Sequence, residues 1–316
     1  LVLLFENTKS LGETMKHLSL FSGLGGAEQA LIQAGKTAWT VAHSDICGRA
    51  NRMYEQIWGR GFQLGDMLKP DPQVWAMIGK TELDLLTGGF PCQPFSQLGD
   101  EKGFDDDRFK PAIAMYELVR QMRPKYLLFE NVAAILNKKH REGLQLYLEL
   151  FKSLGYRVSI HKGNPVDLGY IQSRSRVYFA LSREDVALWT IPTIDQMSKV
   201  KQEFLVDSDA KIGKNCIRIH PKRVQLVWGE TCKYFQCVTA RHADAHCGRV
   251  TWIRQGDEFR SYTLPEYCQL FGWERVPKLN IHQNYKKGVS RSAVAWTFGN
   301  SWHVGHAAKV LESLPC

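Results

Sequence analysis

A chain of 316 residues, 44% of them hydrophobic and 23% charged, has the composition of a folded globular protein, which excludes collagen-like, low-complexity and disordered classes. A formal net charge of +9 suits an anionic partner such as nucleic acid. Eight cysteines without a CxxC pair or regular spacing exclude a disulfide framework and point to a reducing compartment, and no apolar run is long enough to cross a bilayer.

Residues 1–14 read as upstream sequence without a function. Met15-Lys16-His17, followed at once by an apolar run, is a natural start. Apolar β-type runs then alternate with stretches of helical period. Strands are expected over 18–21, 39–42, 83–86, 126–129, 156–161 and 177–181, with helices over 27–34, 49–57, 111–122 and 143–154. That alternation predicts an α/β fold, a mainly parallel sheet flanked by helices. From about 183 to 290 apolar residues thin out. Lys211, Lys214, Arg218, Lys222, Arg223 and Lys233 stand there among aromatics, which predicts a smaller, irregular domain that touches phosphates. The stretch 296–314 reads as a strand-loop-helix unit that returns to the first domain. The expected division is 15–182 plus 293–316 for the larger domain and 183–292 for the smaller.

The first strand runs into Phe21-Ser22-Gly23-Leu24-Gly25-Gly26, where glycines let a backbone approach a ligand at a helix N-terminus. It is neither GxGxxG nor a phosphate-binding P-loop. Asp45 and Asp66 close the next two β-α steps, positions suited to ribose hydroxyls and an adenine amine. Gly88-Gly89-Phe90-Pro91-Cys92-Gln93-Pro94-Phe95-Ser96 holds a thiol between two prolines that stiffen its loop, at a strand end where α/β enzymes place nucleophiles. Glu130 ends the 126–129 strand at the same sheet edge. In apolar company its ionised form is disfavoured, so it is read as a proton carrier. Gln172, Arg174 and Arg176 alternate before the last strand and would share one face, a donor array for a carbonyl oxygen and phosphates. Cys232, Cys237, His242, His246 and Cys247 are spaced loosely enough for zinc, yet are read as packing or nucleic-acid-facing residues, so no metal is expected. His43 and His303 are read as packing or surface residues.

In order along the chain, FSGLGG, GGFPCQPFS, ENV, QSRSRVYF, the block from Arg260 to Gly272 and Phe298-Gly299-Asn300-Ser301 resemble the motif series of DNA cytosine-5 methyltransferases. The resemblance implies a Rossmann-like, S-adenosylmethionine-dependent methyltransferase domain and a smaller DNA target-recognition domain. Cys92 would attack C6 of a cytosine flipped out of double-stranded DNA. Glu130 would contact N3 and the exocyclic amine, Arg176 would hold O2, and Arg174 would support the loop and a nearby phosphate. The cofactor would meet Phe21, Ser22, Gly23, Gly25, Gly26, Asp45, Ile46, Asp66, Met67, Pro91, Asn300 and Ser301, and would leave as S-adenosylhomocysteine. DNA contacts are expected from Gln93, Ser96, Arg108, Gln172, Lys211, Lys214, Lys222, Arg223, Lys233 and Arg241. The same likeness implies a monomer in the cytoplasm of a bacterial or phage-infected cell (the nucleus, if the source is eukaryotic), functionally paired with a restriction endonuclease.

This chain departs from the family pattern in two places. Trp302 stands where Val usually follows GNS, and Ile46 replaces the frequent aromatic beside the ribose-binding acid. The tRNA-aspartate branch carries Thr in place of Ser96 and a Cys-Phe-Thr element in its second domain, and neither stands here. A non-catalytic DNA-binding relative would be expected to lack Cys92 or Glu130, and an oxidoreductase would need the missing dinucleotide fingerprint.

Overall fold

The computed structural model describes residues 14–59, 62–69, 76, 78–79, 81–91, 109–210, 218–219, 226–229, 234–240, 251–281 and 288–315. Six strands form the main sheet: β1 (Met15–Leu20), β2 (Ala38–Ser44), β3 (Leu85–Gly88), β4 (Tyr126–Val132), β5 (Tyr156–Gly163) and β6 (Arg176–Arg183), in spatial order β2-β1-β3-β4-β6-β5. The pairs β1/β2, β1/β3 and β3/β4 are parallel, while β6 runs antiparallel to both β4 and β5. The mainly parallel α/β expectation is met, with one reversed strand inside the sheet.

Side-chain alternation on β6 assigns its two faces to two cores. Val177, Phe179 and Leu181 join the cluster under α3 (Lys110–Met122) and α4 (Arg141–Ser153), whereas Tyr178 and Ala180 join the one holding α1 (Gly26–Gln33). Between β2 and β3 runs α2 (Gly48–Trp58).

The later part of the chain adds a four-stranded sheet ordered β7-β10-β9-β8, built from β7 (Arg218–Ile219), β8 (Leu226–Val227), β9 (Thr251–Gln255) and β10 (Glu258–Arg260). Arg260 leaves β10 to meet Glu266 on α5 (Leu264–Leu270) with two guanidinium-carboxylate contacts of 2.7 and 2.9 Å, both side chains fully buried. Two helices close the chain, α6 (Arg291–Gly299) and α7 (Val304–Leu311), and α7 packs on α1. The strand expected near 296 is therefore a helix. Ser290 caps it by accepting from Ala293 N at 3.2 Å, and the apolar Ala293-Val294-Ala295 run, buried throughout, hides the helical period that a one-sided helix would display.

Buried histidines lie through both layers. His17 is fully buried between Thr40 Oγ1 (2.9 Å) and Thr87 Oγ1 (2.8 Å). His43 and His303, read as packing or surface residues, are both fully buried. Burial lowers His17 and His303 to about 3 and His43 to about 4, against about 6.5 in an unfolded chain. Below pH 6.5 the unfolded state therefore binds protons that the folded state refuses, and stability falls as pH drops towards the folded values. Each such histidine is expected to cost about 1.4 kcal/mol between pH 7.5 and 5.5. Urea midpoints at pH 7.5 and 5.5 check this. An unchanged midpoint contradicts it.

Candidate active site

β1 releases the chain into a turn that only unusual backbone angles can make. Phe21 sits at φ 52°, Gly23 at 58° and Gly25 at 88°. A left-handed non-glycine residue such as Phe21 is uncommon and collects at functional sites. Gly25 is sterically obligatory, since a Cβ there would lie 1.9 Å from Trp58 Nε1. Gly23 is different: a Cβ on it would point into open space. Ser22 N donates to Ser44 O at 2.9 Å, tying the turn to the end of β2.

Asp45 then clamps that turn to the start of α2. Its carboxylate accepts from Gly23 N at 2.9 Å and from Cys47 N at 2.7 Å. Burial raises its pKa, and the two backbone donors oppose that rise. Two bonds leave a carboxylate with acceptor capacity for a ligand. Ile46 beside it is 77% exposed, an apolar side chain open to a partner surface. Asp66 is half-buried, its Oδ1 accepting from Leu68 N at 2.9 Å, and Met67 is buried. Across the turn, Ser301 Oγ lies 3.2 Å from where a Cβ on Gly26 would sit, and Asn300 is exposed. The open cradle at Gly23, an acid with free lone pairs and an uncovered Ile46 fit a nucleoside-bearing cofactor such as S-adenosylmethionine.

The reversed strand explains the second half of the site. Because β6 is antiparallel to β4, its first residues arrive at the end where β4 finishes, with Val132 opposite Arg176 and Glu130 opposite Tyr178. Arg176 Nε reaches Glu130 Oε1 at 2.7 Å, and both side chains are about one-tenth exposed. Glu130 thus has a guanidinium for company where apolar surroundings were expected. Gly89 runs over this pair. A Cβ there would sit 2.8 Å from Trp302 Nε1 and 3.3 Å from Glu130 Oε2, so only glycine lets the backbone pass so close. Asn131 Nδ2 donates to Phe90 O at 3.4 Å, holding the segment down. Pro91 is half-buried and is the last described residue before the loop. Cys92, Gln93, Ser96, Arg108, Lys211, Lys214, Lys222, Arg223, Lys233 and Arg241 lie outside the described residues.

Gln172 and Arg174 do other things than the alternation predicts, because β6 begins only at Arg176 and the residues before it are irregular. Gln172, grouped above with the DNA contacts, is fully buried and donates to Leu270 O at 3.1 Å. Arg174 is also buried. Its guanidinium donates to Val238 O (2.7 Å), Gly299 O (3.1 Å) and Ser301 O (2.7 Å), and lies over the Phe271 ring at 5.1 Å. Arg174 Nη1 also meets Cys237 Sγ at 3.3 Å. Burial pushes the Cys237 thiol up, but the charges of Arg174 and Arg176 more than offset it, leaving the thiol below its ordinary value.

Sequence reasoning did not place Cys237 at this site, nor Tyr178, whose buried hydroxyl has no hydrogen-bond partner among the described residues. Only long-range pairing could have revealed either. Of the loose zinc set, Cys232, His242, His246 and Cys247 lie outside the described residues. Among the described residues no cluster of three His, Cys, Asp or Glu could hold a metal ion, and no helix is long and apolar enough to cross a membrane.

A doubly wound sheet with a glycine turn after its first strand, acids at Asp45 and Asp66 in the next connections and a buried Glu-Arg pair at one edge has the form of a Rossmann-like methyltransferase fold. The model of the C-5 cytosine-specific DNA methylase family matches residues 15–243. The chain belongs to that family. Relatives include the orphan methyltransferase M.Rho11sI of Bacillus phage rho11s, 34% identical over 174 residues, which are 54% of this chain and 34% of that protein. The Type II methyltransferase M.HgiBI of Herpetosiphon aurantiacus is 34% identical over 169 residues, 52% of this chain and 37% of that one. The match to these curated relatives thus spans little more than a third of their length. Among solved structures, S. pombe Dnmt2 methyltransferase superposes with TM-score 0.76 at 19% identity, covering 96% of this chain and 100% of that one. The Entamoeba histolytica methyltransferase EhMeth gives 0.78 at 17%, covering 96% and 98%. At such identities these likenesses speak for the fold.

Proposed function

We propose that the chain transfers a methyl group from S-adenosylmethionine to C5 of a cytosine flipped out of double-stranded DNA. The observation that carries this reading is the buried Glu130–Arg176 pair, 2.7 Å apart beneath Gly89, three residues before Cys92. A carboxyl and a guanidinium held side by side match the N3 edge and O2 of one cytosine. Cys92 sulfur forms a bond to C6, and the ring electrons move towards C5 while Glu130 stabilises N3 and Arg176 holds O2. The cofactor, when bound, supplies an electrophilic methyl group for C5. Loss of the C5 proton then restores the C5–C6 double bond and expels the Cys92 thiolate. Flipping is needed because C6 is shielded within the stack, at a cost of a few kcal/mol. Phe21, the Gly23 turn, Asp45, Ile46, Asp66, Asn300 and Ser301 would hold the cofactor.

Residues 15–182 with 293–316 would be the catalytic unit, though that second boundary falls within α6. Residues 183–292, with the four-stranded sheet, would read the target, the Lys and Arg content of that stretch of sequence (Lys211, Lys214, Lys222, Arg223, Lys233) favouring phosphate contacts. The family description, a cytosine-specific DNA methylase, supports DNA as substrate, and the relatives include both Type II and orphan methyltransferases, so a restriction endonuclease as functional counterpart is not part of the proposal. Cys92→Ala is expected to abolish transfer of label from S-adenosylmethionine, a loss of about 10⁴-fold or more, with DNA affinity within about threefold of the parent. Label transfer surviving that change removes Cys92 as nucleophile.

One observation favours RNA as a second reading. The Cys-Phe-Thr element is absent as such, but Cys237-Val238-Thr239 differs from it only by Val238 in place of Phe, and Cys237 is held against Arg174 at 3.3 Å. Label appearing on tRNA and not on duplex DNA decides for it.

A further inference from the structure

Trp302 stands between the two halves of the site. Its Cβ lies 3.4 Å from where a Cβ on Gly26 would project, at the start of α1 on the cofactor side. At its other end, Nε1 lies 2.8 Å from the corresponding point on Gly89, which is itself 3.3 Å from Glu130 Oε2 on the base side. The indole is buried, and its ring meets Tyr178 edge-on with centroids 6.1 Å apart. The loop carrying it is fixed from below: Arg174 Nη2 grips Gly299 O and Ser301 O at 3.1 and 2.7 Å, and Val304 N donates to Phe271 O at 2.7 Å. A large rigid ring on an anchored backbone cannot yield to an oversized neighbour as a flexible chain can. With Gly26 at one end of the ring and Gly89 at the other, a group carried from a cofactor at the Gly23 turn to a base beside Glu130 would travel along it.

We infer that Trp302 is a specificity-determining residue that sets the size of the transferred group, admitting a methyl and rejecting longer sulfonium substituents. The inference rests on the methyl-transfer reading above. Bulk carries it, so Phe at this position should preserve the selection and Val should relax it.

The test uses non-reactive analogues of the cofactor in which nitrogen replaces sulfur and bears either a methyl or a propargyl group. Their dissociation constants are measured by titration calorimetry for the parent, Trp302→Phe and Trp302→Val proteins, with S-adenosylhomocysteine as the reference ligand. The parent and Trp302→Phe are expected to bind the propargyl analogue about tenfold or more weakly than the methyl one, and Trp302→Val to narrow that gap to about threefold or less. Equal binding of both analogues by the parent overturns the inference. So does an undiminished gap in a Trp302→Val protein that still binds S-adenosylhomocysteine. If Trp302→Val binds nothing, the parent and Trp302→Phe decide, because equal gaps support bulk and a gap lost in Trp302→Phe overturns it. A parent that binds S-adenosylhomocysteine and neither analogue also counts against it, whereas one that binds none of the three removes the cofactor assignment itself.

Discussion

Arg176→Met is expected to lower the methyl-transfer rate by about 10³-fold or more and to cost about 3 kcal/mol of stability. The two losses have different origins. Activity falls because the guanidinium that would hold the cytosine O2 is gone. Stability falls because Glu130, about one-tenth exposed and 2.7 Å from its partner, is left as a buried charge without its cation. Adding Glu130→Gln should separate them: the neutral amide needs no counter-ion, so the double variant should recover stability to within about 1 kcal/mol of the parent while transfer stays lost. Urea unfolding and label transfer on the parent, Arg176→Met, Glu130→Gln and the double variant complete the cycle. Transfer by Arg176→Met within tenfold of the parent would sink the assignment of O2 binding to this residue.

That pair also shows where sequence reading succeeds and where it stops. The periodicity of 177–181 is plain because Val177, Phe179 and Leu181 face one core and Tyr178 and Ala180 the other, so a strand and its two faces follow from local pattern. The direction of the strand does not, since alternation reads the same in either sense. Reversal of β6 is what brings Arg176 beside Glu130; the family resemblance had put both at one cytosine, whereas the strand pattern alone gave a carboxyl in apolar company. The 172-174-176 alternation failed for a related reason. Period two holds only within a strand, and residues 172–175 precede β6, so their side chains are aimed individually by tertiary contacts.

The cofactor side was more legible because glycine reports its own geometry. Gly23 and Gly25 adopt positive φ, where other residues are strained, and the turn they make is a local event. Asp45 was found for its place at the end of β2. Its bonds to Gly23 N and Cys47 N were not, as they depend on how α2 docks. Trp302 stood out as a departure from the family pattern, while its position between Gly26 and Gly89 needed the fold.

Arg174 carries the second large expectation. The family pattern makes it a support for the loop and phosphate, but its buried guanidinium joins two stretches distant in sequence: Cys237-Val238, and the turn from Gly299 at the end of α6 to Ser301 beside the cofactor cradle. Truncation would leave the carbonyls of Val238, Gly299 and Ser301 without that donor and remove the cation over Phe271. Each orphaned carbonyl costs about 1 kcal/mol or more, so Arg174→Ala is expected to lose about 3–5 kcal/mol in urea unfolding. Lys should restore less than half, because one ammonium on a flexible stem cannot span acceptors that a planar fork reaches together. The same change frees Ser301 from its anchor, so affinity for S-adenosylhomocysteine should fall by about tenfold even under conditions where the variant is fully folded. A residue that only contacts phosphate behaves otherwise: its loss weakens DNA binding, lowers the salt dependence, and leaves unfolding within about 0.5 kcal/mol of the parent. Measuring unfolding and ligand affinity together therefore decides whether Arg174 is a tie between the chain's distant segments or a contact to the nucleic acid.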